Sequence, residues 1–501
     1  MSGFRLLDLV KFFLPVLPEV EWPVEAISFD ERIVFTVGSG IIYLVGQIPI
    51  YGLVPNAQFK IEDPFFSFRS VFAMEKGTLF ELGVLPVVTA AFFWQLAVGL
   101  KLVNVNLGLR SDRELFQTGQ KLTSFVLAIV YGVGLIYSGY YDNAIRGYDP
   151  LSDSTPYGWY GLILFQFLSW SFIITLIVEV FDKGYAFGSG ALSFLALQTA
   201  TNLIAELVGL EIFPINNSNK FESYGALINF TRNFSFDISK IGTNVYNSFT
   251  RLQLPNFTSF YITVATTLAV VYLQNLRIEL PIRSTRARGM NNVFPIRLLY
   301  TGALPVLFAY TVIANIQYFG YLAYVVLQKA NVSSFALSII ASFNLDSYSN
   351  RLNLTSGALY FFSSSPSLLS TILSPIRTVV YSATVIVLAT WFAEKWSYIS
   401  GSAPKDISKQ FKDQGISISG KRDISITKEL SRVIPVAAVS GGFILAAIAV
   451  AGDLLGGLGK SAATIVGVSA AFSVLEEFMV EYQQNGGASQ LSGALSGAGF
   501  L

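Results

Sequence analysis

The sequence predicts an all-α polytopic membrane protein with ten transmembrane helices, and three observations lead there. Hydrophobic residues occupy 52% of the 501 positions and charged residues 13%, more apolar surface than one water-soluble core can hide. Ten charge-poor windows approach the ~20 apolar residues that a helix needs to cross the hydrocarbon core. The fifth window and the last two are rich in Gly, Ala and Ser, the residues that let helices approach closely within a bundle.

Taken in order, the chain opens on MSGFRLLDLVKFFLP, where Asp8 and Lys11 break the apolar run and no small-residue cleavage site follows. It reads as a retained segment, with Phe4, Leu7, Val10 and Phe13 on one face of a short helix at the membrane surface. The windows run over 33–52, 78–100, 122–141, 159–178 and 184–205, then 254–276, 298–322, 378–393, 435–452 and 461–475. Between the first two, Lys60 to Gly77 is apolar but too short to cross. It is either a re-entrant piece enclosed by protein or an interfacial loop helix.

Ten spans divide into a first five-helix half (33–205) and a second (254–482), with 206–253 as the seam. An odd number per half makes any repeat an inverted one. With the N-terminus in the cytosol, 1–32, the loops 277–297 and 394–432, and the tail 483–501 fall on the cytosolic side. Together with the loops 101–121 and 179–190, that side then holds 21 of the 33 Lys and Arg, as the positive-inside rule requires.

The chain has no Cys and no His, and its net charge is +1. Disulfides, thiol nucleophiles, Cys or His metal sites and imidazole acid–base chemistry are thereby excluded. No global field recruits nucleic acid. Glu179 with Asp182, Glu206, and Glu476 with Glu477 sit near span ends and read as boundary residues. GYAFGSG (184–190) lacks the Lys-Ser/Thr of a P-loop. No catalytic, metal or cofactor site is expected. Thr89, Gln95, Thr199, Asn202, Thr311 and Asn315 decorate apolar spans, where interhelical hydrogen bonds are their usual role.

Ten stretches nonetheless resemble the SecY family, the pore-forming subunit of protein-translocation channels, in its eukaryotic endoplasmic reticulum form. They are LPEV (17–20), GQIPIYG (46–52), DPFFSFR (63–69), GTLFELGVLPVVT (77–89), SDRELFQ (111–117), DKGYAFGSG (182–190), LPIRSTRARG (280–289), FPIRLLYTG (294–302), KQFKDQG (409–415) and GKRDISITKELSRVIP (420–435). STRARGMNNV and EYQQNGG look more like the paralogous second pore subunit of yeasts.

The resemblance implies two inverted five-helix halves around an hourglass pore, with a short re-entrant plug helix matching Asp63, Pro64, Phe65, Phe66, Phe68, Arg69 and Phe72. It also implies an apolar pore ring of Val84, Val88, Leu195, Thr199, Leu307 and Val466. A lateral gate would carry Thr89, Asn315 and Tyr131, the last standing where the family often has Gln. Arg283, Arg286, Arg288, Lys421 and Arg422 match basic positions of two ribosome-docking loops. Arginine suits ribosomal RNA because its planar fork meets phosphate oxygens two at a time; Arg277 and Arg297, beside helix ends, instead fit anchoring of their spans.

The implied protein is not an enzyme and has no cofactor. It would move nascent polypeptides across the endoplasmic reticulum membrane, with both termini cytosolic. Its partners would be small beta and gamma subunits, the ribosome, signal sequences and lipid. An inverted-repeat secondary transporter of a small molecule is the alternative. The sequons at Asn216, Asn229, Asn233, Asn331 and Asn353 fall in loops assigned to the lumen.

Overall fold

The structure is a computed structural model that describes residues 10–15, 17–103, 105, 109–147, 156–214, 221–233, 238–251, 254–284, 291–346, 350–399, 403–414, 416–418 and 423–484. Each of the ten windows coincides with a helix. The first five are Phe29–Gly46, Leu85–Gly99, Arg110–Ser138, Tyr157–Asp182 and Gly190–Val208; the second five are Phe257–Gln274, Leu304–Lys329, Pro375–Ile399, Asp423–Leu454 and Lys460–Gln484. Among the described residues, eight of them are long and apolar enough to cross a membrane by themselves.

The other two depart from the windows for identifiable reasons. The first span starts four residues early because Ser28 and Glu31 form a reciprocal capping box, which satisfies two otherwise unpaired N–H groups. The second span is only 15 residues long and starts at Leu85, with Pro86 in its first turn. At 1.5 Å per residue it covers about 22 Å, short of a ~30 Å hydrocarbon core. The missing length is filled by 77–84, a run of turns rather than helix. Helices at the opposite end of the bundle run long: the ninth begins at Asp423, twelve residues ahead of its window.

Within the first half, the second to fifth spans pack in chain order; in the second half, the tenth span packs against the sixth, and the ninth between the tenth and the eighth. The halves meet along two seams. One is broad, between the fifth and tenth spans, where a Cβ on Gly467 would lie 2.4 Å from Thr199 Oγ1; only glycine permits that approach. The other, between the second and third spans on one side and the seventh and eighth on the other, is thinner.

The chain is not helical throughout. Between the fifth and sixth spans, β1 (Ile212–Pro214) pairs with β2 (Phe221–Ser223), followed by short helices Ala226–Asn233 and Ile238–Thr250. The segment after the sixth span, expected as a loop, is an antiparallel hairpin of β3 (Arg277–Ser284) and β4 (Asn291–Arg297). Beyond the seventh span, β5 (Ser342–Asp346) pairs with β6 (Arg351–Ser356). The 394–432 loop contributes helix Pro404–Gln414 and β7 (Ile416–Ile418), which adds to β3 as a third strand. Alternating residues such as Phe294 and Ile296 explain these strands, since a period of two buries one face.

The N-terminal expectation needs correcting. Phe4 and Leu7 lie outside the described residues, but Val10 is buried against Trp94 and Leu115. Val10, at least, packs on protein between the second span and the start of the third.

Candidate functional site

The segment expected as a plug helix forms consecutive turns. Phe68 N–H donates to Phe65 O and Val71 N–H to Phe68 O, each at 3.0 Å, and one longer-range bond of helical spacing runs from Phe72 N–H to Phe68 O. What fixes it is burial. Phe65, Phe68, Val71 and Phe72 share one apolar cluster with Val84, Val88, Leu195, Leu307 and Val466. Five of the six expected ring residues are thus buried in the same apolar core as the plug. The sixth, Thr199, is half-buried and turns its hydroxyl away to Leu195 O (2.8 Å) and Ala463 O (3.2 Å). The closest link is in the backbone, where Val84 N–H donates to Phe72 O at 2.9 Å. A Cβ at Gly83, whose φ is +53°, would sit 2.2 Å from that same carbonyl, so this approach requires glycine.

Charge holds the rest of the plug. Arg69 pairs with Asp63, through Nη2 to Oδ1 at 3.1 Å, and with Glu81 at 2.9 Å. It also donates to Tyr140 Oη, which in turn donates to Glu81 Oε1 at 3.0 Å. Glu81 completes its set by accepting from Gly77 N–H at 2.6 Å. Buried charges are tolerated only when paired in this way. Asp63 also exchanges backbone bonds with the turn of the β5–β6 hairpin: its N–H donates to Asn350 O and its carbonyl accepts from Leu352 N–H, both at 3.0 Å. Arg351 lies over the Phe66 ring at 5.3 Å. Burial pulls its guanidinium below the ordinary arginine value, against the attraction of Asp63 and Asp346. Pro64 is buried beside Asp63.

The three expected gate residues form one network across the thinner seam. Tyr131 Oη of the third span donates to Asn315 Oδ1 of the seventh, and Asn315 Nδ2 donates to Thr89 Oγ1 of the second at 3.1 Å. The departure at Tyr131 thus supplies a donor instead of removing one. Tyr318 reinforces it by donating to Tyr131 O and stacking on Phe65 of the plug, with centroids 5.2 Å apart. An apolar cleft of about 500 Å³ opens beside this network, between Phe92, Leu96, Phe308 and Ile316. Further along the seam, Phe92, Phe308 and Phe392 close the second span against the seventh and eighth, with centroids 4.4 to 5.4 Å apart.

Of the basic docking residues, Arg286, Arg288, Lys421 and Arg422 lie outside the described residues. Arg283 sits on β3 opposite Ser417 of β7, so the two loops expected to dock a partner join in one sheet. Helix Pro404–Gln414 and the start of the ninth span cover that sheet through Ile296, Ile407, Phe411, Ile426, Leu430 and Ile434. Arg297 pairs with Glu476 of the tenth span at 2.9 Å, while Arg277 pairs with Glu279 on its own strand at 3.1 Å. Among the sequons, Asn216 is outside the described residues and Asn229 is buried. Asn353 is half-buried on β6, and Asn233 and Asn331 are exposed.

Sequence reasoning missed Glu81, Tyr140, Tyr318 and Arg351. Glu81 carried a readable signal, being the one carboxylate within the second apolar window. Several of the boundary carboxylates proved to be ties. Glu179 lies between Lys121 (2.7 Å) and Lys183 (3.0 Å), and those lysines also hold Pro18 O and Glu19 of the LPEV stretch. Glu206 pairs with Lys460 at 2.8 Å.

Comparison with known proteins agrees with this geometry. A model of the SecY family matches residues 78–475, and one described as the plug domain of Sec61p matches 41–77. The Sec sixty-one protein homolog of Saccharomyces cerevisiae is 39% identical, with both chains covered in full. The protein transport protein SEC61 subunit alpha of Yarrowia lipolytica is 34% identical over 95% of this chain and 98% of its own. Among solved structures, the idle yeast Ssh1 complex bound to the yeast 80S ribosome matches with a TM-score of 0.74 at 38% identity, covering 98% of each chain. A structure of a protein-conducting channel matches with a TM-score of 0.72 at 25% identity, over 95% of this chain and 97% of the other. By both family models and by full-length similarity, the chain belongs to the SecY family.

Proposed function

We propose that the chain is the pore-forming subunit of a protein-conducting channel, a multi-pass protein of the endoplasmic reticulum membrane that passes nascent polypeptides across the bilayer and releases apolar segments into it. The reading rests on one observation above all: apolar plug and ring side chains share a single cluster, joined by the Phe72–Val84 backbone bond. A constriction of this kind excludes ions by dewetting and yields to a passing chain without binding it. Val84, Val88, Leu195, Thr199, Leu307 and Val466 form the ring in this reading, and 63–72 the plug. The Thr89–Asn315–Tyr131 network is the latch of the lateral gate. Its few hydrogen bonds are exchangeable for those of an entering signal sequence.

The ribosome supplies the driving force through elongation. It docks on the β3–β4–β7 face, with Arg283, Arg286, Arg288, Lys421 and Arg422 toward ribosomal RNA. Yeast Ssh1, the relative solved in complex, is bound to a ribosome. Single-span beta and gamma subunits complete the family's channel. It performs transport and not catalysis, and the small-molecule transporter alternative lapses with family membership. The basic β3–β4–β7 face and both termini lie in the cytosol; the plug face lies in the lumen, where Asn331 is the best-placed sequon, exposed at the end of the seventh span. A single glycan lost in Asn331→Gln, read as a gel shift, checks that sidedness.

Photo-crosslinkers placed at 84 and 307 test the pore. An arrested nascent chain should crosslink at both. Crosslinks confined to position 315, never reaching 84 or 307, would replace the pore with an insertase that works at the seam alone.

A further inference from the structure

Asp453 occupies the last turn of the ninth span, fully buried at 0% exposure, and belongs to none of the features described so far. Burying a carboxyl is unfavourable unless donors surround it, and here three converge. Tyr310 of the seventh span and Tyr381 of the eighth both donate to Oδ2, the latter at 2.7 Å. Gly459 N–H donates to Oδ1 at 2.7 Å. One carboxyl therefore fastens two spans on one wall of the thinner seam to the turn that follows the ninth.

That turn is tightly wound. Gly456 N–H donates to Asp453 O at 3.0 Å and Gly457 N–H to Gly452 O at 2.9 Å. Gly456 (φ +89°), Leu458 (φ +48°) and Gly459 (φ +81°) all adopt the left-handed region. For Leu458 this is a strained conformation, which persists only where surrounding contacts over-determine it. The product of the winding is a close approach. A Cβ at Gly459 would stand 2.2 Å from Ser67 O and 3.1 Å from Val71 Cγ2, so the backbone of the turn rests directly on the backbone of segment 63–72.

We propose that Asp453 is a positioning residue for closure of the channel: it shapes 455–459 into a seat for the plug and ties that seat to the seventh and eighth spans. The plug's buried ion pair, by contrast, joins Glu81 and Tyr140 on the opposite wall. The plug is gripped from both walls, by Arg69 on one and by the Asp63 bonds to Asn350 and Leu352 and the Phe65–Tyr318 stack on the other. When the seam parts, the seat therefore moves with the seventh and eighth spans, and the plug cannot keep both sets of contacts. Gate opening and unsealing thereby become one motion. This rests on 63–72 being the plug.

The absence of native cysteine gives a clean test in the assembled complex in endoplasmic reticulum membranes. Ser67→Cys, at a site 6% exposed, should react slowly with an uncharged maleimide. Asp453→Asn keeps the size and one acceptor for the tyrosines but turns an NH2 toward the Gly459 N–H. It should raise resting labelling about tenfold, the scale set by losing a hydrogen bond to a charged group. Gly459→Ala, which pushes on Ser67 O and leaves the spans untouched, should do likewise, and it decides the matter if Asp453→Asn does not accumulate. Ser223→Cys, 2% exposed on β2, should label at its parental rate throughout. Unchanged Ser67→Cys labelling overturns the proposal, and so does a parallel rise at Ser223→Cys, which would mean general loosening. The plug reading is judged apart: an arrested nascent chain should raise Ser67→Cys labelling in the parent, and a flat response there removes that reading whatever Asp453 does.

Discussion

The two ends of the bundle solve the same problem with opposite chemistry. On the plug face, 63–72 is held by charges withdrawn from solvent: Glu81 is 1% exposed and Asp63 3%, and both are bound to Arg69. On the opposite face, the β3–β4–β7 sheet is held by an apolar cluster of Ile296, Phe411, Ile426 and Leu430, while Arg277 and Arg297 stay half-exposed. A buried ion pair is costly to break and specific in geometry, which suits a seal. An apolar mini-core is indifferent to what its surface carries, which under the proposed function suits a face that docks a polyanion. Under the proposed function, where this chain spends its scarce charge separates sealing from docking.

The comparison can be broken most forcefully at Arg69. Arg69→Met should leave Asp63 and Glu81 buried without their cation, at a cost of about 4 kcal/mol. The expected result is a resting channel that conducts ions in planar bilayers, with ribosome affinity unchanged; a tight channel would mean that the apolar cluster alone seals. Leu430→Ala acts on the other end. Its side chain is fully buried, so its removal should cost about 3 kcal/mol, and the reading is a loss of ribosome binding with no rise in resting conductance. If conductance rises as well, the two ends are not independent. The smallest effect belongs to the seam between them. Tyr131→Phe deletes only the donor to Asn315 and should ease opening by about 1 kcal/mol, measured as translocation of clients with weaker signal sequences at constant expression.

Legibility in the sequence followed the range of the forces involved. The spans were readable because a long, charge-poor apolar run has few other places to go. The hairpin β3–β4 was misread as loop because its alternation covers a few residues and its buried face exists only once helix Pro404–Gln414, some 110 positions later, lies over it. Val10 was assigned to a membrane surface because an amphipathic face is the same whether lipid or Trp94 covers it. Thr89 and Asn315 stood out as polar residues in apolar spans and Asp63, Arg69 and Tyr131 through the family resemblance, but their mutual bonds could not have been read.

The sequence by itself determined the membrane class and the ten spans, because hydropathy acts locally along the chain. Only the tertiary structure decided that the second span stops short to admit the plug, that Glu81 and Tyr140 complete the Arg69 pair, and that Asp453 joins three elements. Those outcomes depend on which groups meet across hundreds of residues, and a buried charge takes its meaning from its partners.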